Sequence, residues 1–171
     1  MKLTFKNDTF KILQIADTQE GRKVSPDTLA LINAALDREE PDLVVYSGDQ
    51  IWGRGFHGDV NQVRQVLKEL TAPVVERHLP FAICFGNHDR QVGLDNRAQF
   101  EIYKEIPGFI GEDTPGVDGV GNCVLEIADG DRPGYLLYLI DSHSSLKVGY
   151  DHVHQNQIDW YRGVRDSYEK Q

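Results

Sequence analysis

The sequence has little cysteine and no apolar run long enough to cross a bilayer. Its two cysteines, Cys84 and Cys123, lie far apart, and neither has a Cys or His at zinc-finger spacing. Cys84 falls inside an apolar, strand-like run and is most simply a small core residue. Residues 1–14 contain no apolar signal segment. These absences predict a reduced, cytoplasmic protein that is not embedded in a membrane.

Positive charge is also scarce. There are 18 Lys and Arg against 27 Asp and Glu, which gives a net charge of −9. This balance argues against nucleic acid or an anionic membrane as the main partner. It would also repel an anionic substrate unless a cationic group, such as a bound metal, offsets it. The 171 residues, 40% of them hydrophobic, suffice for one domain with a real core.

The first half of the chain alternates between strand and helix patterns. The predicted elements are strands at 10–16, 42–48 and 81–86, with helices at 25–40 and 59–70. Ser25 is a plausible N-cap and Pro26 suits the first helical position. A shorter helix is predicted after Pro73. The order β-α-β-α-β predicts parallel strands with right-handed crossovers, in a sheet covered on both faces.

The second half has a different character. A helix is predicted at 96–106, followed by a glycine-rich loop. The apolar segments 123–129 and 134–141 flank the turn signal "DGDRPG" and predict an antiparallel hairpin. A final amphipathic helix is predicted at 155–170. The fold class is therefore α/β.

Polar side chains follow each of the first three predicted strands. Asp17 and Gln19 follow the first strand, Asp49 the second, and Asn87 and His88 the third. The carboxyl ends of parallel strands lie on one edge of a sheet, where open α/β folds bind ligands. We therefore expect these side chains to converge. Two carboxylates, an amide oxygen and an imidazole suit divalent Mn, Fe, Zn or Mg.

These motifs carry a resemblance to a known family. Asp17, "SGDQ" at 47–50 and "GNHD" at 86–89 resemble the calcineurin-like metallophosphoesterases, near the purple acid phosphatases. The resemblance extends to the strand end "LIDSH" and implies a sandwich of two sheets flanked by helices. It also implies hydrolysis of phosphate mono- or diesters by a metal-bound hydroxide at a site with two divalent ions. It further implies a phosphate-ester substrate as the partner.

The resemblance also implies a role for each matching residue. Asp17 binds the first metal, Asp49 bridges both metals and Asn87 binds the second. His88 is catalytic, protonating the leaving group or stabilising its charge. Where the family usually has Asp-x-His, this chain has Gln19, whose amide oxygen could ligate a metal more weakly. The sequence leaves open whether Gln19 is a ligand or a bystander.

Later histidine motifs of the family, ending in Gly-His-x-His, do not appear before Gln171. We therefore expect residues 1–171 to form a single incomplete domain of a longer enzyme. "HVH" at 152–154 has the spacing of His-x-His but lacks the preceding glycine, so a ligand role is the less favoured interpretation. The same holds for His143. The alternative function is a non-catalytic phosphate-binding or scaffold module with a degenerate metal site, and a third is a folded fragment without activity.

Neighbouring residues have competing interpretations. Asp89 is expected to cap a turn or orient His88, and Arg90 could contact phosphate or be a solvated charge. Trp52 and Phe56 could line a substrate pocket or pack their loop. The missing C-terminal strands would expose apolar surface on the hairpin, so self-association through that half is expected. The chain alone is expected to bind at most one metal weakly and to show little hydrolysis.

Overall fold

A computed structural model of the chain describes residues 2–53 and 55–169. These residues form two three-stranded sheets flanked by four α-helices. The strands are β1 (Leu3–Thr4), β2 (Ile12–Ile15), β3 (Leu43–Tyr46), β4 (Phe81–Ile83), β5 (Cys123–Asp129) and β6 (Arg132–Leu139). The helices are α1 (Pro26–Glu39), α2 (Val60–Glu76), α3 (Asn96–Lys104) and α4 (Gln155–Tyr168).

The first sheet has the order β2-β3-β4 and all its strands are parallel. This arrangement confirms the predicted βαβ units and brings the carboxyl ends of the three strands to one edge. Strands β3 and β4 are buried along their whole length. The expectation of cover on both faces is wrong for β2, where Ile12 remains 39% exposed. This edge strand packs only its other face, through Leu13 and Ile15, on the core.

Both crossover helices begin at side-chain caps. The Ser25 hydroxyl accepts a hydrogen bond from the Asp27 amide, and Asp59 caps α2 through Oδ1. The separate helix predicted after Pro73 is wrong, because α2 continues through this proline to Glu76. Pro73 lies in the last turn and is buried with Val74. Packing on the core therefore offsets the helical hydrogen bond that proline cannot make.

The second sheet has the order β1-β5-β6. Strands β5 and β6 form the predicted antiparallel hairpin, paired from Cys123↔Leu139 to Asp129↔Arg132. Strand β6 begins at Arg132, two positions earlier than predicted, which makes the turn tighter. The short strand β1, which the sequence analysis did not predict, pairs in parallel with β5. Helix α4 covers β6 through the Tyr138 ring, 4.8 Å from the Tyr161 ring centroid.

The two faces of β3 divide the core. Val44 and Tyr46 face the first cluster, which packs between the sheet and its helices. Leu43 and Val45 face the second cluster, where they meet β5 residues such as Ile127. The two sheets therefore pack face to face, as the expected sandwich requires. None of the helices in the described residues is long and apolar enough to cross a membrane.

Candidate active site

The loops after β2 and β3 run side by side beyond the sheet edge. The Asp17 amide donates to the Gly48 carbonyl oxygen at 3.1 Å, and the Gln19 amide donates to the Asp49 carbonyl oxygen at 2.9 Å. Thr18 adds a hydroxyl bond to the Gln50 carbonyl oxygen at 2.8 Å. These bonds hold the two loops in register, so that Asp17, Gln19 and Asp49 lie at one end of the sheet.

The buried carboxylate of Asp89 ties the loop after β4 to the loop after β3. It accepts backbone hydrogen bonds from Asp49 (2.9 Å), Gln50 (2.8 Å), Ile51 (3.1 Å) and Gly86 (2.7 Å). Burial raises the pKa of Asp89 to about 6, while the hydrogen bonds from the backbone work in the opposite direction. Asp89 is thus a structural connector that holds the turn, as expected, although it makes no bond to the His88 ring.

Asp49 also contacts the third loop directly. Its Oδ1 accepts the His88 backbone amide at 2.7 Å. The approach depends on glycine, because a Cβ added at Gly86 would lie 2.2 Å from Asp49 Oδ1. A Cβ added at Gly48 would lie 3.0 Å from the Gly86 Cα. The two glycines of the strand ends therefore let the loops meet.

Three of the side chains predicted to bind metal stand on strained backbone. Asp17, Gln19 and Asp49 have φ angles of 55°, 45° and 54°. This left-handed region is uncommon for residues other than glycine. Such conformations persist where the surroundings over-determine them, and they cluster at functional sites. The strain falls on residues that the sequence analysis selected for their chemistry.

The His88 side chain lies between two neighbours. Its Nδ1 is 3.0 Å from Gln91 Oε1, and its ring centroid is 5.7 Å from that of Trp52. When Nδ1 carries the proton, it donates to the Gln91 oxygen and leaves Nε2 for a ligand. Gln91 was not predicted from the sequence, although its position three residues after His88 in the same short turn was an available signal. On the other side, Ser144 Oγ donates to the Asn87 carbonyl oxygen at 3.4 Å.

The other residues singled out in the sequence lie in different parts of the structure. Phe56 is 1% exposed and packs in the core, so it does not line a pocket. Arg90 is exposed and borders a pocket of about 350 Å³ that Arg97 and His143 also line. The His152 side chain is 79% exposed, whereas His154 and His143 stack on each other with ring centroids 4.1 Å apart.

The ligand types at the sheet edge fit a hard divalent cation. Asp17 and Asp49 offer carboxylate oxygens, and Asn87 and Gln19 offer amide oxygens. Oxygen donors of this kind suit Mg and Mn, and carboxylates also bind Fe and Zn. These residues could supply part of the coordination of two ions. Additional ligands would still be needed to complete both sites.

The chain is similar to a known protein family and to several known proteins. The sequence profile of the calcineurin-like phosphoesterases matches residues 10–169. The chain is 31% identical, over 92% of its length, to phosphatase DCR2 of Saccharomyces cerevisiae, and it covers 32% of that protein. It is 28% identical, over 94% of its length, to probable inactive purple acid phosphatase 14 of Arabidopsis thaliana, and it covers 48% of that protein.

An uncharacterised Schizosaccharomyces pombe protein, C1020.05, is 32% identical over 89% of the chain, which covers 32% of it. The chain thus spans about a third to about half of the length of these relatives. The profile match includes all three strand-end loops, which confirms the resemblance inferred from the motifs. The chain belongs to the calcineurin-like phosphoesterase family.

Proposed function

We propose that the protein to which this chain belongs is a metal-dependent phosphohydrolase that cleaves phosphate mono- or diesters at a two-metal centre. The observation that carries the proposal is the convergence of three loops at one sheet edge. In particular, Asp49 Oδ1 accepts the His88 amide at 2.7 Å, although the two residues come from different strand ends. Family membership supports phosphoester chemistry in general.

The residues of the chain have different roles in this proposal. Asp17 and Asn87 would each hold one ion, Asp49 would bridge them, and Gln19 would add a weaker amide ligand. Divalent ions bound there would supply the Lewis acidity that activates water and offsets the phosphate charge. His88 protonates the leaving group, and Gln91 holds its ring through the 3.0 Å contact at Nδ1. The remaining ligands are proposed to be histidines outside these 171 residues.

A second candidate is a non-catalytic phosphate-binding module with a degenerate metal site. It is favoured by Gln19, which stands where the family usually has a histidine ligand. The relative named as a probable inactive purple acid phosphatase points the same way. The two candidates differ in turnover and agree on metal binding, so only an assay of hydrolysis separates them.

The test uses the full-length protein loaded in turn with Mn, Fe, Zn or Mg. p-Nitrophenyl phosphate and bis(p-nitrophenyl) phosphate report monoesterase and diesterase activity. His88→Ala should lower turnover about 10²–10⁴-fold and leave metal content unchanged, as expected for loss of a general acid. Asn87→Ala should instead lower metal occupancy. Bound metal without hydrolysis of either ester would favour the binding module, and an unchanged rate in His88→Ala would refute the acid role.

Two finer points belong to the same proposal. Cys84 and Cys123 are unpaired, which supports a reducing, cytoplasmic setting. Strand β6 is an edge of the second sheet within the described residues, and its Tyr135 is 57% exposed. We propose that the isolated 171-residue chain self-associates through this edge. Sedimentation of a stable monomer at high concentration would refute the association.

A further inference from the structure

Three potential metal ligands gather on the loop after β6 and at the start of α4. One ring nitrogen each from His143 and His154, and a carboxylate oxygen of Asp151, lie within 4.8 Å of one another. Asp17 and Asp49 do not belong to this group. We propose that His143, Asp151 and His154 bind a divalent transition metal such as Zn²⁺, at a site distinct from the strand-end centre.

The proton on His143 can be assigned from its buried neighbour Gln157. The Gln157 amide nitrogen donates to the Asp141 carbonyl oxygen at 2.7 Å, and its Oε1 accepts the His154 backbone amide at 2.7 Å. These backbone partners fix which end of the amide is the oxygen. His143 Nε2 lies 3.0 Å from that oxygen and must therefore be the N–H donor. The neutral ring then carries its lone pair on Nδ1, where a metal can bind.

The same reasoning assigns His154. Its Nδ1 is 2.9 Å from the Asp118 carboxylate, which only accepts, so Nδ1 carries a proton. Its Nε2 lies 3.2 Å from Asp151 Oδ1. In the neutral ring this is a lone pair facing a carboxylate, so either a metal ion or a second ring proton must lie between the two atoms. Two ligands of a tetrahedral ion with bonds of about 2.0 Å are separated by about 3.3 Å, which matches this contact between His154 and Asp151. The His143 ring stacks on the His154 ring with centroids 4.1 Å apart, so the His143 side chain must turn to direct its Nδ1 at the same ion.

Outer contacts hold the ligands in place. Asp118 contacts Nδ1 of His154, and Gln157 contacts Nε2 of His143. The ring nitrogen of a metal-bound histidine that does not bind the metal commonly has such a partner. The backbone amide of Asp151 donates a hydrogen bond to the Ser144 carbonyl oxygen at 2.7 Å, which holds Asp151 in position. Two imidazoles and one carboxylate form a set that suits Zn²⁺ or Fe²⁺. His143 and Asp151 also line the 350 Å³ pocket, which gives an ion access from solvent.

A proton is the competitor for the metal. An imidazolium at His154 could donate to both Asp118 and Asp151 without any ion. These two carboxylates hold the pKa of His154 above its ordinary value. The experiment must therefore separate a bound metal from a doubly protonated ring, and the ring nitrogens themselves provide that readout.

The test is a Zn²⁺ titration of the chain labelled with ¹⁵N-histidine, followed by NMR of the ring nitrogens. The background variant carries Asp17→Asn and Asp49→Asn, which removes both carboxylates from the strand-end centre and so weakens metal binding there. We expect saturation at one Zn²⁺ per chain, with the signals of His143 Nδ1 and His154 Nε2 shifting as they become ligands. A doubly protonated His154 that Zn²⁺ leaves unchanged would overturn the proposal.

Calorimetry on matched variants completes the test. His143→Ala and His154→Gln should each weaken Zn²⁺ binding at least 10-fold, and Asp118→Asn about 10–100-fold. His152→Ala is the control, because this histidine lies in the same segment but its side chain is 79% exposed. Circular dichroism confirms that each variant is folded. Equal affinity in all variants would refute the site, whatever the phosphoesterase assay shows.

Discussion

Replacing Gly86 by alanine tests whether the loops after β3 and β4 meet as closely as the structure indicates. The new Cβ would lie 2.2 Å from Asp49 Oδ1 and 2.5 Å from the Asp49 amide nitrogen. Gly86 is not among the residues with positive φ, so alanine meets no backbone strain of its own. In the folded state, the effect therefore reports the close contact with Asp49.

The magnitude follows from three contributions. Forcing an extra methyl into a packed site costs about 1–3 kcal/mol. Displacing the Asp49 carboxylate breaks its 2.7 Å bond to the His88 amide, and a bond to a charged group contributes about 1.5–3 kcal/mol. Alanine offsets about 0.4–1 kcal/mol of this loss, because it restricts the unfolded chain more than glycine does. The net expectation is a loss of about 2–5 kcal/mol in the free energy of unfolding.

Urea denaturation followed by circular dichroism measures this loss, provided the slope with denaturant stays constant. Gly21→Ala is the matched control, because nothing lies within 4 Å of its added Cβ and its φ is ordinary. It should change the free energy of unfolding by no more than about 1 kcal/mol, in the stabilising direction. If Gly86→Ala were as mild as Gly21→Ala, the close meeting of the two loops would be refuted.

Two further predictions concern the scaffold. Leu67→Ala should lower the free energy of unfolding, measured by urea denaturation, by about 2–5 kcal/mol, because Leu67 is 0% exposed in the first core cluster. The control is Leu31→Ala, at a residue that is 71% exposed, and it should lower the free energy of unfolding by about 0.5 kcal/mol or less. Equal losses would contradict the assigned core. Gly163→Ala should raise the free energy of unfolding by about 0.5–1 kcal/mol, because Gly163 lies in α4 with nothing within 4 Å of an added Cβ. A destabilised variant would contradict the assignment of Gly163 to a helix.

Sequence patterns predicted the long elements because each carries a repeated signal. The run that becomes β3 is apolar at every position, and α1 has both a capping serine and an early proline. A strand of two residues such as β1 has no period to detect, so it could not be predicted. The continuation of α2 through Pro73 was missed for another reason, since it depends on burial against the core rather than on local preference.

Part of the candidate site could likewise be predicted from the sequence, and part could not. Topology alone predicted that Asp17, Asp49 and Asn87 would share an edge, because parallel strands align their carboxyl ends. The four-bond role of Asp89 could not be predicted, since it depends on amides that the fold brings close from nearly 40 residues earlier. The stacking of His143 on His154 likewise depends on how the β6 loop returns to α4.

The pocket beside the strand-end centre shows why a second cation would matter. Arg90 and Arg97 line it, but Arg97 is already paired with Asp113. Three carboxylates, those of Asp95, Asp141 and Asp151, line the same pocket, so its walls do not favour an anion by themselves. A divalent ion at Asp151 would reverse that balance next to Ser144, whose hydroxyl contacts the Asn87 carbonyl oxygen. In a chain of net charge −9, cations at both places would let a phosphate ester approach.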